Sequence, residues 1–302
     1  MREKTRHYIS ALRLDRWPRS TAILPGFAAA LVLAPPPADH SIPILELGIR
    51  LIIAFLLTWA ISTANYIVNE IADAPYDAFH PTKKDRPLVK GEINRGILFT
   101  AYLVITAIAL VIGYFRFNLL FLYSLAALLL AGLIYNVPPV RVKDIPVLDS
   151  TIESANNPIR FLIGWYAVST PFPPVTLLVS WWAFGNFLMV GKRVAEKKFL
   201  TAAESAGYRL SLKRYSLGML IAFMVCNALV FLVTFTMFVY NLGWRLFLFS
   251  LPFIIIYLVM FMRKSLQDRD GAEEPEKLLK NPYFALYTLF LVVVFVLAYL
   301  LR

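Results

Sequence analysis

Nine apolar stretches divide this chain from end to end, each close to the ~18–25 residues a helix needs to cross a bilayer. They run over residues 20–35, 44–68, 97–115, 118–136, 149–168, 175–191, 215–239, 244–262 and 282–301. In lipid every backbone N–H and C=O must find its partner within the protein, so runs of ~20 apolar residues are helices. The expected fold class is therefore all-α: a polytopic membrane protein with nine transmembrane helices in one domain, residues 1–302. Composition agrees, with 59% hydrophobic and 16% charged residues, against about 45–50% and ~25% in a soluble protein.

Lysine and arginine set the expected orientation. With the N-terminus inside, 25 of the 30 lie in inner segments: Arg2–Arg19, Lys83–Arg95, Arg141 with Lys143, Lys192–Arg214 and Arg263–Lys280. Arg50, Arg116, Arg245 and Arg302 lie at or near the outer side, and Arg160 falls within the fifth span. Under the positive-inside rule this bias puts the N-terminus in the cytoplasm and the C-terminus outside the cell (inner) membrane. The net charge of +11 then belongs to basic loops at a lipid surface, and nucleic acid is not an expected partner. The single cysteine, Cys226, rules out a disulfide framework and a cysteine metal site. Met1–Arg19 is polar and basic without an apolar core, unlike a cleaved signal peptide. A homo-oligomer is compatible with this pattern.

Two polar features interrupt it. The fifth stretch carries Asp149, Glu153, Asn156, Asn157 and Arg160. Each charge at a span centre costs about 2.5–3.5 kcal/mol on insertion scales, so this helix must face the interior or a wet cavity. The second feature is Asn69–Pro87, directly after the second span. Asn69, Asp73 and Asp77 are four apart, which stacks them on one helix face. Such an oxygen-rich patch repels itself unless a hard cation such as Mg2+, entering with a diphosphate, neutralises it. Lys83, Lys84, Arg86 and Lys90 follow and can hold phosphate oxygens. Pro75 predicts a kink, or a helix end near Asp73 that leaves Asp77 in a loop.

The Asn69–Pro87 stretch resembles the first Asp-rich signature of the UbiA prenyltransferase superfamily, N-D-x-x-D-x-x-x-D followed by a basic R-P segment. It reads Asn69-Glu70-x-x-Asp73-x-x-x-Asp77, then His80-Pro81-x-Lys83 and Arg86-Pro87. The resemblance implies nine helices around a central cavity that opens toward the membrane, with Mg2+ and a diphosphate leaving group held at this motif. Glu70 replaces the usual Asp. After the sixth helix, where members that prenylate aromatic rings carry a second Asp-rich motif, this chain has Gly191-Lys192-Arg193-Val194-Ala195-Glu196-Lys197-Lys198. That pattern is similar to the branch typified by decaprenyl-phosphate phosphoribosyltransferase. So are the spacing of Lys143, Asp149, Arg160 and Gly164, and the Gly271–Leu278 segment. Asn156-Asn157-Pro158 has no counterpart there.

In that branch the donor is phosphoribosyl diphosphate and the acceptor a polyprenyl phosphate, so the implied partners are a polyprenyl lipid and a diphosphate small molecule. The resemblance assigns Asn69, Asp73 and Asp77 to Mg2+, and Lys83 and Arg86 to the leaving pyrophosphate. Tyr135, Lys143, Asp149 and Arg160 would contact the ribose or its phosphate, and Lys192 and Arg193 the acceptor phosphate. No general base is needed, because a phosphate is already anionic; His80 reads as structural. A second reading in the same fold is a prenyltransferase acting on an aromatic or glycerol-phosphate acceptor. A third is a transporter, although no internal repeat is visible and the acidic stretch sits at the boundary rather than at mid-membrane.

Overall fold

The computed structural model describes residues 2–35, 42–78, 83–199, 210–267 and 281–301. His80, Pro81, the Gly271–Leu278 segment and the Lys83 side chain lie outside the described parts. In chain order the helices are α1 (Arg2–Leu12), α2 (Leu24–Leu33), α3 (Ile44–Asp77), α4 (Arg95–Arg116), α5 (Leu119–Asn136) and α6 (Leu148–Tyr166). They continue with α7 (Val175–Phe199), α8 (Leu210–Arg214), α9 (Leu217–Asn241), α10 (Leu251–Gln267) and α11 (Pro282–Leu300). A 3-10 run, Leu14–Ile23, leads into α2, and no strand occurs among the described residues.

Helix starts follow side-chain chemistry. Asn94 accepts from the Gly96 and Ile97 N–H groups at 2.7 and 3.3 Å to open α4. Asn118 accepts from Phe121 N–H at 2.9 Å to open α5, and Ser216 from Met219 N–H at 3.1 Å to open α9. Asn281 caps α11 with Pro282 just inside. Each cap satisfies backbone donors that a helix start leaves without partners, which matters most where no water can replace them.

Seven helical segments among the described residues are long and apolar enough to cross a membrane: α3, α4, α5, α7, α9, Arg245–Gln267 and α11. The other two expected spans are present in a different form. At the first, α2 has only 10 residues and continues a 3-10 run. The fifth is α6, whose 19 residues include the charges already noted. Conversely, α3 runs past its expected end at 68 to Asp77, with Pro75 inside it. Its 34 residues span ~51 Å against a ~30 Å hydrocarbon core, so its last turns stand beyond the apolar layer. Of the two expectations for Pro75, the helix end near Asp73 with Asp77 in a loop is thereby corrected: Asp77 is helical. Arg141 Nη1 donates to the Ala72 carbonyl at 3.3 Å, one tie of these last turns to the segment after α5. Likewise α7 continues to Phe199, so Lys192 and Arg193 are helical.

The chain forms two compact units. The first comprises residues 1–145 and 155–173, the second 146–154 and 174–302. In the first, α3 packs on α4 and α5, and Ala64, Ile67, Val68 and Ile71 meet Leu98 and Tyr102 in its core. In the second, α7 packs on α9 and α10 through Phe187, Val190, Leu220, Met224 and Phe261. Buried Asn186 donates to Asn227 at 3.0 Å, a polar tie between α7 and α9. The division between units falls inside α6, after Ser154. Pro158 leaves the Ser154 carbonyl without its helical donor at that same point.

Candidate functional site

The end of α3 carries the densest charge in the first unit. Glu70, Asp73 and Asp77 are buried, at 5%, 9% and 5% exposure. Each carboxylate meets a cation. Asp77 Oδ2 accepts from Arg86 Nη1 at 2.6 Å. The same Arg86 nitrogen donates to Glu70 Oε2 at 3.2 Å, and Arg13 Nη2 donates to that oxygen at 3.1 Å. Asp73 Oδ1 accepts from Arg141 Nη2 at 3.0 Å and closely from Lys143 Nζ. Arg141 further pairs with Asp144 at 2.8 Å and stacks over the Tyr76 ring at 4.0 Å. It does so from a left-handed backbone, φ 31°, a conformation that a non-glycine residue adopts at a cost and that recurs at functional sites. Asn69 donates to Asn136 Oδ1, which also accepts from Lys143 Nζ at 3.1 Å.

This network answers the question raised by three acids on one helix. Among the described residues four cations (Arg13, Arg86, Arg141, Lys143) face four carboxylates (Glu70, Asp73, Asp77, Asp144), so that these groups balance one another in charge. Among the described residues no group of three or more His, Cys, Asp or Glu side chains converges on a metal position. The donor chemistry still suits Mg2+: Asp73 and Asp77 offer carboxylate oxygens one helical turn apart, and Asn69 an amide oxygen one turn earlier.

The second unit holds a different cluster. Arg193, fully buried on α7, donates from Nε to Asp149 at 3.0 Å, from Nη1 to Glu196 at 2.9 Å and from Nη2 to Glu153 at 2.6 Å. Asp149 also accepts from Ser211 at 3.1 Å and from the Tyr215 hydroxyl at 2.6 Å. Tyr215 in turn accepts closely from the Val147 N–H. Burial, reinforced by the Asp149 hydrogen bond, pushes the Tyr215 phenol above its ordinary value of 10.0. Arg193, expected on an acceptor phosphate, and Asp149, expected on the ribose, are paired with each other: all three guanidinium nitrogens of Arg193 go to protein carboxylates, and the pair ties the first turns of α6 to α7.

The remaining expected residues divide as follows. Asn69, Asp73, Asp77, Arg86 and Lys143 come together in the first unit, as described. Arg160 lies in that unit on Ser62, at 3.4 Å, about three turns along α3 from Asp73. Tyr135 is partly buried beside Asn136 on α5, and Lys192 partly buried beside Arg193 on α7. Sequence reasoning missed Arg13, Asn136 and Arg141 as partners of the acidic stretch. The one available signal was polarity: Asn136 ends an otherwise apolar helix and Arg141 follows it by five residues.

An all-helical membrane protein with a buried, charge-matched carboxylate motif at the end of its longest helix defines the class. Its sequence from residue 22 to 280 matches the model of the UbiA prenyltransferase family, and the chain belongs to that family. It is 26% identical over 213 residues to a decaprenyl-phosphate phosphoribosyltransferase of Mycolicibacterium smegmatis, covering 69% of this chain and 62% of that one. To the protein of the same description from Mycobacterium tuberculosis it is 27% identical over 209 residues, covering 69% and 65%. The aligned part thus spans just under two thirds of each relative's length. A UbiA homolog from Archaeoglobus fulgidus, solved with GPP and Mg2+, superposes with a TM-score of 0.68 at 16% identity over 97% of this chain and 99% of that one. This superposition shows the same fold.

Proposed function

We propose that the protein transfers phosphoribosyl from 5-phosphoribosyl 1-diphosphate to a polyprenyl phosphate, releasing pyrophosphate. The observation that carries this reading is the balanced carboxylate–cation cluster at the end of α3. A balanced site gains little by admitting a bare metal or a bare diphosphate. It can admit the two together, with the carboxylates turning to the metal and the freed cations to the phosphates. The names of the two relatives support the choice of donor and acceptor.

In this reading Asp73, Asp77 and Asn69 hold Mg2+, which when bound supplies positive charge to the departing diphosphate. Arg86 leaves Asp77 to meet the leaving group, with Lys83 beside it in sequence, and their positive charge stabilises the charge that develops there. Lys143, Tyr135 and Arg160 orient the sugar, and Lys192 meets the acceptor. An oxygen of the lipid phosphate forms the bond to the anomeric carbon as the carbon–diphosphate bond breaks. The electron pair leaves with pyrophosphate, so no side chain need remove a proton. The whole chain acts as one transferase domain in the cell membrane, with the N-terminus and the α3 cluster on the cytoplasmic side, as the lysine and arginine distribution favours.

A second reading, transfer of a prenyl group from prenyl diphosphate, is favoured by the GPP and Mg2+ of the A. fulgidus homolog. One assay separates them. The purified protein, with Mg2+, receives either labelled phosphoribosyl diphosphate and polyprenyl phosphate, or prenyl diphosphate and an aromatic acid. Label moving from the sugar donor into the lipid phase is the expected result. Turnover of prenyl diphosphate alone would replace the first reading with the second.

A further inference from the structure

Two asparagines one turn apart on α3 reach the same neighbouring helix. Asn65 Nδ2 donates to the Leu128 carbonyl of α5 at 2.8 Å, and Asn69 Nδ2 donates to the side-chain oxygen of Asn136 at the end of α5. Gly132 makes the pairing possible. A Cβ at that position would lie 2.2 Å from Asn65 Cγ, so α5 comes this close to α3 only because residue 132 has no side chain. Asn136 stands one turn beyond Gly132 and Asn69 one turn beyond Asn65, so the same close approach sets the second pair against each other. Asn136 is buried there, at 5% exposure.

A side-chain amide has one accepting end and one donating end, and its neighbours decide which way it turns. Asn136 Nδ2 donates to the Gly132 carbonyl at 2.9 Å, a group that can only accept. Asn136 Oδ1 accepts from Lys143 Nζ at 3.1 Å, a group that can only donate. Turned over, the amide would set oxygen against oxygen at one end and NH2 against an ammonium at the other. Asn136 is therefore held in one orientation from both sides. The orientation of Asn69 follows from it. Because Asn136 presents oxygen, Asn69 must present its NH2, and the Asn69 oxygen is turned away from α5. Mg2+ is bound through oxygen, so this is the end of the amide that a metal needs.

We propose that Asn136 is a positioning residue for the metal site: it sets the Asn69 amide so that oxygen, rather than NH2, is offered to a divalent cation. It acts through Asn69 and supplies no ligand itself. Lys143 then contributes twice, as the close partner of Asp73 and as the donor that keeps Asn136 from turning over. That Asn69 ligates Mg2+ rests on the transferase reading above; the direction of its amide rests on Gly132, Asn136 and Lys143 alone.

The test is calorimetric binding of Mg2+ with inorganic pyrophosphate to the full-length protein in detergent, with folding checked by thermal unfolding without metal. Asn136→Leu removes the acceptor and is expected to weaken binding about tenfold or more, as loss of a partner that orients a ligand ordinarily does. Asn136→Asp keeps an acceptor toward both Asn69 and Lys143 and should retain most of the affinity. In an Asn69→Ala background, itself weakened, Asn136→Leu should cost nothing further, because no amide is left to orient. Should Asn136→Leu fail to fold, Asn69→Asp carries the test. A carboxylate is ordinarily the better Mg2+ ligand, yet it has no donor for the fixed Asn136 oxygen, so binding should weaken here too. Wild-type affinity in folded Asn136→Leu, a full further loss in the Asn69→Ala background, or undiminished binding by Asn69→Asp overturns the positioning role and, with Asn69→Ala still weakened, leaves the metal reading standing. Wild-type affinity in Asn69→Ala, or no Mg2+–pyrophosphate binding by wild type, overturns the metal reading and the positioning role with it.

Discussion

Asp73 does two jobs that a single substitution would confound. Its carboxylate is the anionic partner of Lys143, only 6% exposed, and in the proposed reaction it is also an oxygen donor to the metal. Asp73→Asn should therefore destabilise the fold by about 1–3 kcal/mol, since it leaves a buried ammonium poorly compensated. Adding Lys143→Met should recover most of that stability and none of the activity, which thermal unfolding and a turnover assay read separately. Arg193, whose three nitrogens all meet carboxylates, offers a second test. Arg193→Met strands Asp149 and Glu196, at 0% and 2% exposure, and should cost about 3–5 kcal/mol; equal unfolding midpoints for variant and wild type would refute its tying role. Spacing alone made the Asn69–Asp73–Asp77 face legible. The partners of that face were not, because Arg13 lies 57 residues from Glu70 and Lys143 70 from Asp73. Sequence spacing describes one helix, and such pairs exist only once helices pack.

At the scale of elements, α3 and α6 depart most from what hydropathy implies. Hydropathy ends α3 where its apolar residues end, near 68, yet the helix continues because its last turns are held by ion pairs instead of lipid. α6 shows the converse. Its charges made it conspicuous in the sequence, but not the division of labour along it: Asp149 and Glu153 serve the second unit and Arg160 the first. The Asn156-Asn157-Pro158 stretch, which has no counterpart in the branch that the sequence resembles, falls just after that division. Glycine makes the packing of α6 testable. Gly164→Ala puts a methyl group onto the Ile23 carbonyl, a backbone atom that cannot rotate away. The variant should lose about 1–3 kcal/mol of stability, measured by thermal unfolding in detergent; Gly218→Ala, with nothing within 4 Å of the added carbon, should be unaffected by such crowding.

For the molecule as a whole, apolar runs specify a helical membrane protein, and a short polar stretch after the second of them carries the motif that resembles the family. The family follows from both. What the fold adds is electrostatic: carboxylates that looked self-repelling in the sequence are already matched by arginines and a lysine drawn from the residue after α1, the segment after α3 and the turn after α5. The central claim is that Mg2+ and the donor's diphosphate enter by exchanging with those pairs. Pyrophosphate release is common to both donors proposed above, so it tests the claim independently of the sugar or prenyl group. We expect release by the wild type to rise with Mg2+ and saturate, and release by Asp73→Asn and Asp77→Asn to fall about 100-fold or more at every Mg2+ concentration. Wild-type rates and Mg2+ dependence in either folded variant would contradict it.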